Sequence, residues 1–318
     1  LILSFIVYYV TNVLLNAYFG TVPGIIAPYF YAAIIAVALM MTRDQGYANL
    51  LIAFRWSLTI LMVASLALIP FQPNLVLQPN SPEVRLPVIT FRMFGLGSGP
   101  NSIGPLAATL ILIAIHLPFR SKVLQLVSLA SAIAVFILAQ SQTAWIAMGF
   151  ILPPYLAYRW ITSEEDGRRR QLSPSLLFGL LGLGLAGLFA VSLFFVDWPA
   201  ILGTMAGFIG LGGDGLTNRS ISGRGAIWTV AIQTFLENPL FGYGLTAWDS
   251  AFRAKLNMPF AFHAHNQLMQ SLSVGGLLGV AGLLFYLGTL TYYSLRYARF
   301  TRGLAPALLT LVLVRCIS

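Results

Sequence analysis

Three stretches of the sequence hold residues suited to proton transfer or phosphate binding: SGRGAIW from Ser222 to Trp228, ENPLFGYGL from Glu237 to Leu245, and FHAHN from Phe262 to Asn266. Histidine titrates near neutral pH and is the usual side chain for moving a proton there. Arginine offers a rigid fork of donors that matches phosphate oxygens. His263, His265 and Arg224 are therefore the groups best suited to a reaction that takes up a proton and holds an anion. Arg224 stands between two glycines, which allow close backbone approach to a ligand, although an arginine near a membrane also reaches lipid headgroups without any ligand. The His-x-His spacing leaves three roles open: acid–base or hydrogen bonding, interfacial anchoring, and metal binding. The segments around it offer no third His or Cys and no spaced carboxylate pair to complete a metal site, so neither metal nor cofactor is expected.

These residues need a framework, and the composition says which kind. Of 318 residues, 58% are apolar and only 8% charged, with a mean hydropathy of +0.83, whereas a soluble domain carries about 25% charged residues. That excludes an ordinary water-soluble enzyme. Apolar runs of membrane length fall near 1–18, 25–41, 50–70, 101–117, 123–139, 143–158, 175–196 and 270–295, with a shorter one from 304. The expected fold class is all-α: a polytopic transmembrane helical bundle of about eight or nine spans, reading as one integral membrane domain over 1–318. Because Leu1 already lies in an apolar run and the last run is short, the chain reads as a piece of a longer protein. The lone Cys316 excludes an intramolecular disulfide.

The formal charge of +9 would suggest nucleic acid in a soluble protein, but topology accounts for it and no nucleic-acid partner is expected. Segments 42–49, 118–122, 159–174 and 296–303 are mostly short and hold ten basic residues; the alternate segments hold six, all in 71–100 and 197–265. By the positive-inside rule the first set faces the cytoplasm and the two long loops face outward. A connection of roughly 70 residues is longer than a connector needs and points to function. His265 and Asn266 then fall where this outer loop becomes a helix, marked by Leu268, Met269 and Leu272 and by Gly275, Gly276 and Gly279. Trp145, Tyr155, Trp160, Trp198, Tyr292 and Tyr293, at span ends, are expected in the interfacial belt. Arg55, inside the third span, is either a paired functional charge or a snorkelling one.

Arg224-x-x-x-Trp228, NPLFGYG (Asn238–Gly244) and AHNQLMQ (Ala264–Gln270), followed by Gly276 and Gly279, together resemble the O-antigen ligase and O-antigen polymerase family. RMFGLGSGPN (Arg92–Asn101) and AQSQTAW (Ala139–Trp145) add to the resemblance, which extends over about residues 90 to 295. It implies a bacterial cytoplasmic-membrane enzyme with its site facing the periplasm or outside. Such an enzyme moves a glycan from a polyprenyl diphosphate carrier to a glycan, lipid or protein acceptor, inverting, without metal. On this sequence the implied catalytic residues are His265 and Arg224. Gln142 stands where the family has a basic residue, and Arg92 and Arg219 are the cations available to take over that contact; Asn266 and His263 complete the implied binding set. Val274 stands where the family often has an acidic residue. Scarce outer carboxylates, Glu83, Asp197, Asp214, Glu237 and Asp249, argue against a two-carboxylate glycosidase. Two other readings are an anion transporter or channel, which would place polar groups on broken helices in mid-membrane, and a non-catalytic cell-envelope assembly protein.

The topology has a direct test. With Cys316 replaced by Ser, single cysteines at positions 85, 224 and 253 should react with an impermeant thiol reagent added outside, and those at 120, 169 and 299 should not. Labelling at 169 without labelling at 224 would reverse the orientation.

Overall fold

The computed structural model describes residues 1–21, 27–41, 46–81, 84, 86, 89–162 and 224–317. They are mostly helical. In chain order they form α1 (Ile2–Phe19), α2 (Ala27–Met41), α3 (Tyr47–Ala67), strands β1 (Leu77–Pro79) and β2 (Phe91–Met93), α4 (Pro100–His116), α5 (Lys122–Ala139), α6 (Gln142–Thr162), α7 (Arg224–Glu237), α8 (Ser250–Lys255), α9 (Gln267–Arg296) and α10 (Leu304–Ile317). A helix stands at seven of the eight expected apolar runs and at the short run from 304; the run 175–196 lies outside the described residues. Four helices, α1, α3, α5 and α9, are long and apolar enough to cross a membrane.

Two stretches read as loops contain regular structure. Within 71–100, β1 and β2 pair antiparallel, with Gln78 opposite Arg92. Within 197–265, α7 and α8 are helical. At 14 residues α7 is too short to register as a span, yet Ile227, Ala231 and Thr234 fall on one buried face at helical spacing. Asp249 caps α8, its carboxylate accepting the Phe252 amide at 2.7 Å.

The described residues pack as two compact units. One unit, containing α3, β1, β2, α4, α5, α6 and most of α10, has a core of Met62, Met93, Ile103, Leu110, Leu112, Val135 and Ile151. Small residues allow close approach there: a Cβ on Gly104 would stand 2.7 Å from the Ser141 side chain. Ser121 caps α5 at its start, and the helix stops at Gln140, which takes a left-handed conformation at φ 49°.

The other unit contains α1, α2, α7, α8 and most of α9. Its organising feature is a break in α9 at Gly276, where φ 58° and ψ −154° interrupt the helix. The main-chain groups freed by the break pair with the segment after α7. Tyr243 and Gly244 donate to the Ser273 and Val274 carbonyls at 2.9 and 3.1 Å, and Leu277 and Leu278 donate to the Pro239 and Leu240 carbonyls at 2.8 and 3.3 Å. Lipid offers no partner to an interrupted helix, so such a break persists only where protein satisfies it. On the other side α1 contains a π-helical turn, Val10–Leu14, and Asn12 donates from Nδ2 to the Gly279 carbonyl at 2.9 Å. Gly275, Gly279 and Gly282 let α1 come this close, since a side chain on any of them would press on Thr11, Asn12 or Asn16.

Gly242 carries a testable consequence. Its φ is +72°, and a Cβ would meet the Val274 main chain at 2.5 Å, so Gly242→Ala combines left-handed strain of about 1–2 kcal/mol with a clash against backbone that cannot turn aside. Gly149, inside α6, has nothing within 4 Å of its Cβ position. In detergent, Gly242→Ala should lower both the monodisperse yield and the melting temperature, while Gly149→Ala leaves them level or higher. Equal behaviour of the two variants would contradict the helix-break packing.

Candidate functional site

The His-Ala-His-Asn run is a tight turn leading into α9, and the Ala264 amide and carbonyl and the His265 amide each have a side-chain partner. Asn266 caps the helix: its Oδ1 accepts the Leu268 and Met269 amides at 2.9 and 3.2 Å. His265 sits in the left-handed region at φ 52°. Its amide donates to Nδ1 of His263 at 3.0 Å, and the two imidazole rings lie 4.0 Å apart between centroids. Between them Ala264 is buried and held at both polar atoms. Its amide donates to Oε1 of Gln270 at 2.9 Å and its carbonyl accepts from Nε1 of Trp228 at 2.9 Å. His263 is exposed and His265 half-buried. An accessible pair of imidazoles on a rigid main chain can accept a proton or donate to a ligand without reorganising.

The Trp228 bond joins this turn to α7, which begins at Arg224. Arg224 therefore stands at the first position of a helix whose next turn grips the peptide between the two histidines, and both belong to one compact unit. The remaining polar contacts of this region lead back to the helix break. Trp248 donates from Nε1 to Oγ of Ser273 at 3.1 Å, and Phe252 packs edge-on against Tyr243 and Trp248. Arg253 lies over the Phe262 ring at 4.2 Å and donates to the Pro259 carbonyl. A chain of ring and hydrogen-bond contacts thus runs from α9 through α8 to the residue before His263.

Arg92 and Gln142 belong to the other unit. Arg92 is buried, with 4% of its surface exposed. Its Nε donates to the Ala139 carbonyl at 3.3 Å, and its NH2 group to the Gln140 carbonyl at 3.3 Å and to Oδ1 of Asn101 at 3.2 Å. Gln140 returns the contact to the hairpin, donating to the Phe91 carbonyl at 2.8 Å and accepting from the Leu86 amide at 3.0 Å. This guanidinium thus closes the C-terminal end of α5, where cations are favoured, and fixes the turn from which Gln142 opens α6. Arg219 lies outside the described residues, as do Arg85 and Trp198.

Two other positions took unexpected places. Tyr155, expected in the interfacial belt, is buried, its hydroxyl 3.1 Å from Nδ1 of His116 and 3.4 Å from the Arg159 guanidinium. A tyrosine one turn from an arginine on a helix can bury its ring while its hydroxyl stays bonded, which apolar periodicity does not distinguish from a belt position. Arg55 is buried too; it packs over the Phe119 ring at 3.7 Å and donates to the Leu117 carbonyl. Among the described residues no three His, Cys, Asp or Glu come together. Gln270 escaped sequence reasoning because its role is a side-chain bond across six residues. The only sequence signal for it was its place at the end of AHNQLMQ.

With the geometry established, the chain can be set beside known proteins. The family model described as O-antigen ligase covers residues 126–284, half of the chain, and includes Gln142, Arg224, His263, His265 and Asn266. No curated protein matches the chain.

The Arg92 clamp has a stability consequence. Arg92→Met would leave buried carbonyls at residues 139 and 140 without these donors, and each unsatisfied buried group costs about 1–3 kcal/mol. The melting temperature in detergent should fall, with Arg92→Lys between that variant and the parent. An unchanged melting temperature for Arg92→Met would mean that the clamp is not formed.

Proposed function

The chain belongs to the O-antigen ligase family, and from that premise we propose that it transfers a glycan from a polyprenyl diphosphate carrier to an acceptor hydroxyl, at the outer face of a bacterial cytoplasmic membrane that it crosses about eight or nine times. A membrane glycan-processing function follows from the family and the apolar helices; the donor, the facing and the chemistry are our reading. In it the acceptor oxygen attacks the anomeric carbon as the bond from that carbon to the diphosphate oxygen breaks, with inversion. The hydroxyl proton passes to His265, and the diphosphate leaves with its carrier. The step needs donors on the departing oxygens and a base at the attacking one. Arg224 supplies the first, with Arg219 beside it in sequence. Asn266 and Gln142 contribute to binding, His263 stands beside the base in the same turn, and Arg92 enters through the turn it holds before Gln142. No metal takes part in this scheme.

The observation that carries the reading is the Trp228 hydrogen bond to the Ala264 carbonyl, which ties the helix beginning at Arg224 to the peptide between His263 and His265. It supports the reading because the helix that starts at Arg224 carries Trp228, and that helix and the His turn belong to one compact unit. An anion channel would have no need to join these two elements.

Purified protein in nanodiscs, given a polyprenyl-diphosphate-linked glycan and a hydroxyl acceptor, provides the test. His265→Ala should lower the transfer rate by about 10²–10⁴-fold, the range of general acid–base catalysis. Arg224→Lys should lose most activity despite keeping its charge, because an ammonium cannot reproduce the paired contacts of a guanidinium. Chelator should leave the rate unchanged. Full activity in His265→Ala would remove the base from the scheme, and chelator sensitivity together with equal losses at both histidines would favour a His-x-His metal centre.

A further inference from the structure

His263 precedes the proposed base by two residues, and its geometry gives it work of its own. Nδ1 of His263 accepts the His265 amide at 3.0 Å. This is the bond an Asx-turn makes, in which a side-chain acceptor takes the N–H two residues on, with an imidazole nitrogen in place of the usual oxygen. The bond closes over Ala264 and anchors the amide of a residue in the left-handed region, His265 at φ 52°, a conformation that a branched or bulky side chain rarely adopts without support. Two further bonds hold the intervening peptide: Trp228 to the Ala264 carbonyl and the Ala264 amide to Gln270, both at 2.9 Å. With Asn266 capping α9 just beyond, the His265 main chain is fixed from both sides. A histidine whose Nδ1 accepts a main-chain N–H carries its own proton on Nε2.

We propose that His263 is a positioning residue for His265: through Nδ1 it holds the His265 main chain in the left-handed turn that directs the base, with Trp228 and Gln270 as the clamp on the peptide between them. This rests on the reading of His265 as the base. It assigns Nδ1 of His263 to the turn and leaves Nε2–H as the ring's only donor toward a ligand. A base displaced by about 1 Å loses roughly a hundredfold in rate without losing substrate affinity, so the signature of such residues is a fall in kcat with little change in KM.

The isosteres available make the test sharp. Oδ1 of asparagine is two bonds from Cβ, as Nδ1 of histidine is, so His263→Asn keeps the turn acceptor and removes the imidazole; His263→Leu removes both. Glutamate at 270 keeps an acceptor that leucine lacks, and phenylalanine at 228 keeps the ring without the N–H. Initial rates of the intact chain in nanodiscs, with a short-chain polyprenyl-diphosphate-linked glycan as donor, should show kcat reduced about 10- to 100-fold in His263→Leu, Gln270→Leu and Trp228→Phe, with donor KM within about twofold of the parent. His263→Asn and Gln270→Glu should each recover most of the corresponding loss. Melting temperatures of the same preparations separate misfolding from misplacement, and the paired isosteres keep the comparison valid if the leucine variants are unstable. If His263→Asn is as impaired as His263→Leu, the imidazole is needed for itself and the positioning role is overturned; full activity in His263→Leu and Gln270→Leu overturns it as well. His265→Ala, run alongside, separates the two claims. Its full activity would defeat the base reading, whereas its loss of activity beside unaffected His263 and Gln270 variants would defeat only this inference.

Discussion

A helix of membrane length that is broken in its interior must find partners for the main-chain groups it frees, because hydrocarbon supplies none and each unmatched group costs several kcal/mol. In α9 the break at Gly276 is matched group for group by residues 239–244. That single requirement organises the unit containing the candidate site. It fixes the NPLFGYG segment as a partner to α9, and it explains the glycine at 242, where any side chain would strike the Val274 main chain. It also orders the residues after that segment. Tyr243, once bonded to Ser273, presents its ring to Phe252; Trp248 bonds to Ser273 as well; and α8 is thereby seated where Arg253 reaches the Phe262 ring. The His turn is the far end of this sequence of contacts, and Trp228 and Gln270 hold it from α7 and α9.

How much of this could be read from residues alone depends on the range over which each interaction acts. The start of α9 was legible, since the apolar spacing at Leu268, Met269 and Leu272 marks where loop becomes helix, and the helix begins at Gln267. Arg224, Trp228 and the His-Asn pair stand out together through the motifs that carry the family resemblance, and the structure bonds Trp228 to the residue between the histidines. The break was not. Gly275, Gly276 and Gly279 read equally well as a packing stripe, and what distinguishes a broken helix is a partner about 35 residues away in sequence, which periodicity cannot detect. The helical character of α7 was hidden for a related reason: fourteen residues with one apolar face look like loop when the search is for runs that span a bilayer. Tyr155 and Arg55 show the same limit, because whether an amphipathic side chain faces interface or core is decided by its neighbours on other elements.

The second unit solves its own version of the problem. The segment between α3 and α4 returns to the bundle as a two-stranded hairpin, and its inward arginine closes the end of α5. Sequence reading placed Arg92 among cations free to meet a ligand, as its position in a long loop suggested. Burial beside three protein acceptors gives it first the task of holding the turn at Gln140, whose left-handed φ lets α6 start at Gln142. Both units therefore place a non-glycine residue in left-handed conformation shortly before a helix: Gln140 before the helix that Gln142 opens, and His265 before the helix that Asn266 caps. In each case side-chain bonds from elsewhere hold the turn, which is how strained backbone survives at a working site.

The electrostatics of the proposed reaction fit the composition of this corner. A carboxylate placed as base beside a diphosphate would repel it from the moment the donor binds and would be only neutral after taking the proton. An imidazole begins neutral and becomes cationic on taking the hydroxyl proton, so the same event that activates the acceptor adds an attractive charge near the departing diphosphate. Arginine keeps its charge throughout. The region from 224 to 266 has just two carboxylates, Glu237 and Asp249. The second is committed to capping α8. In the proposed reaction, few carboxylates between 224 and 266 suit a site that draws a phosphate leaving group toward arginine and imidazole.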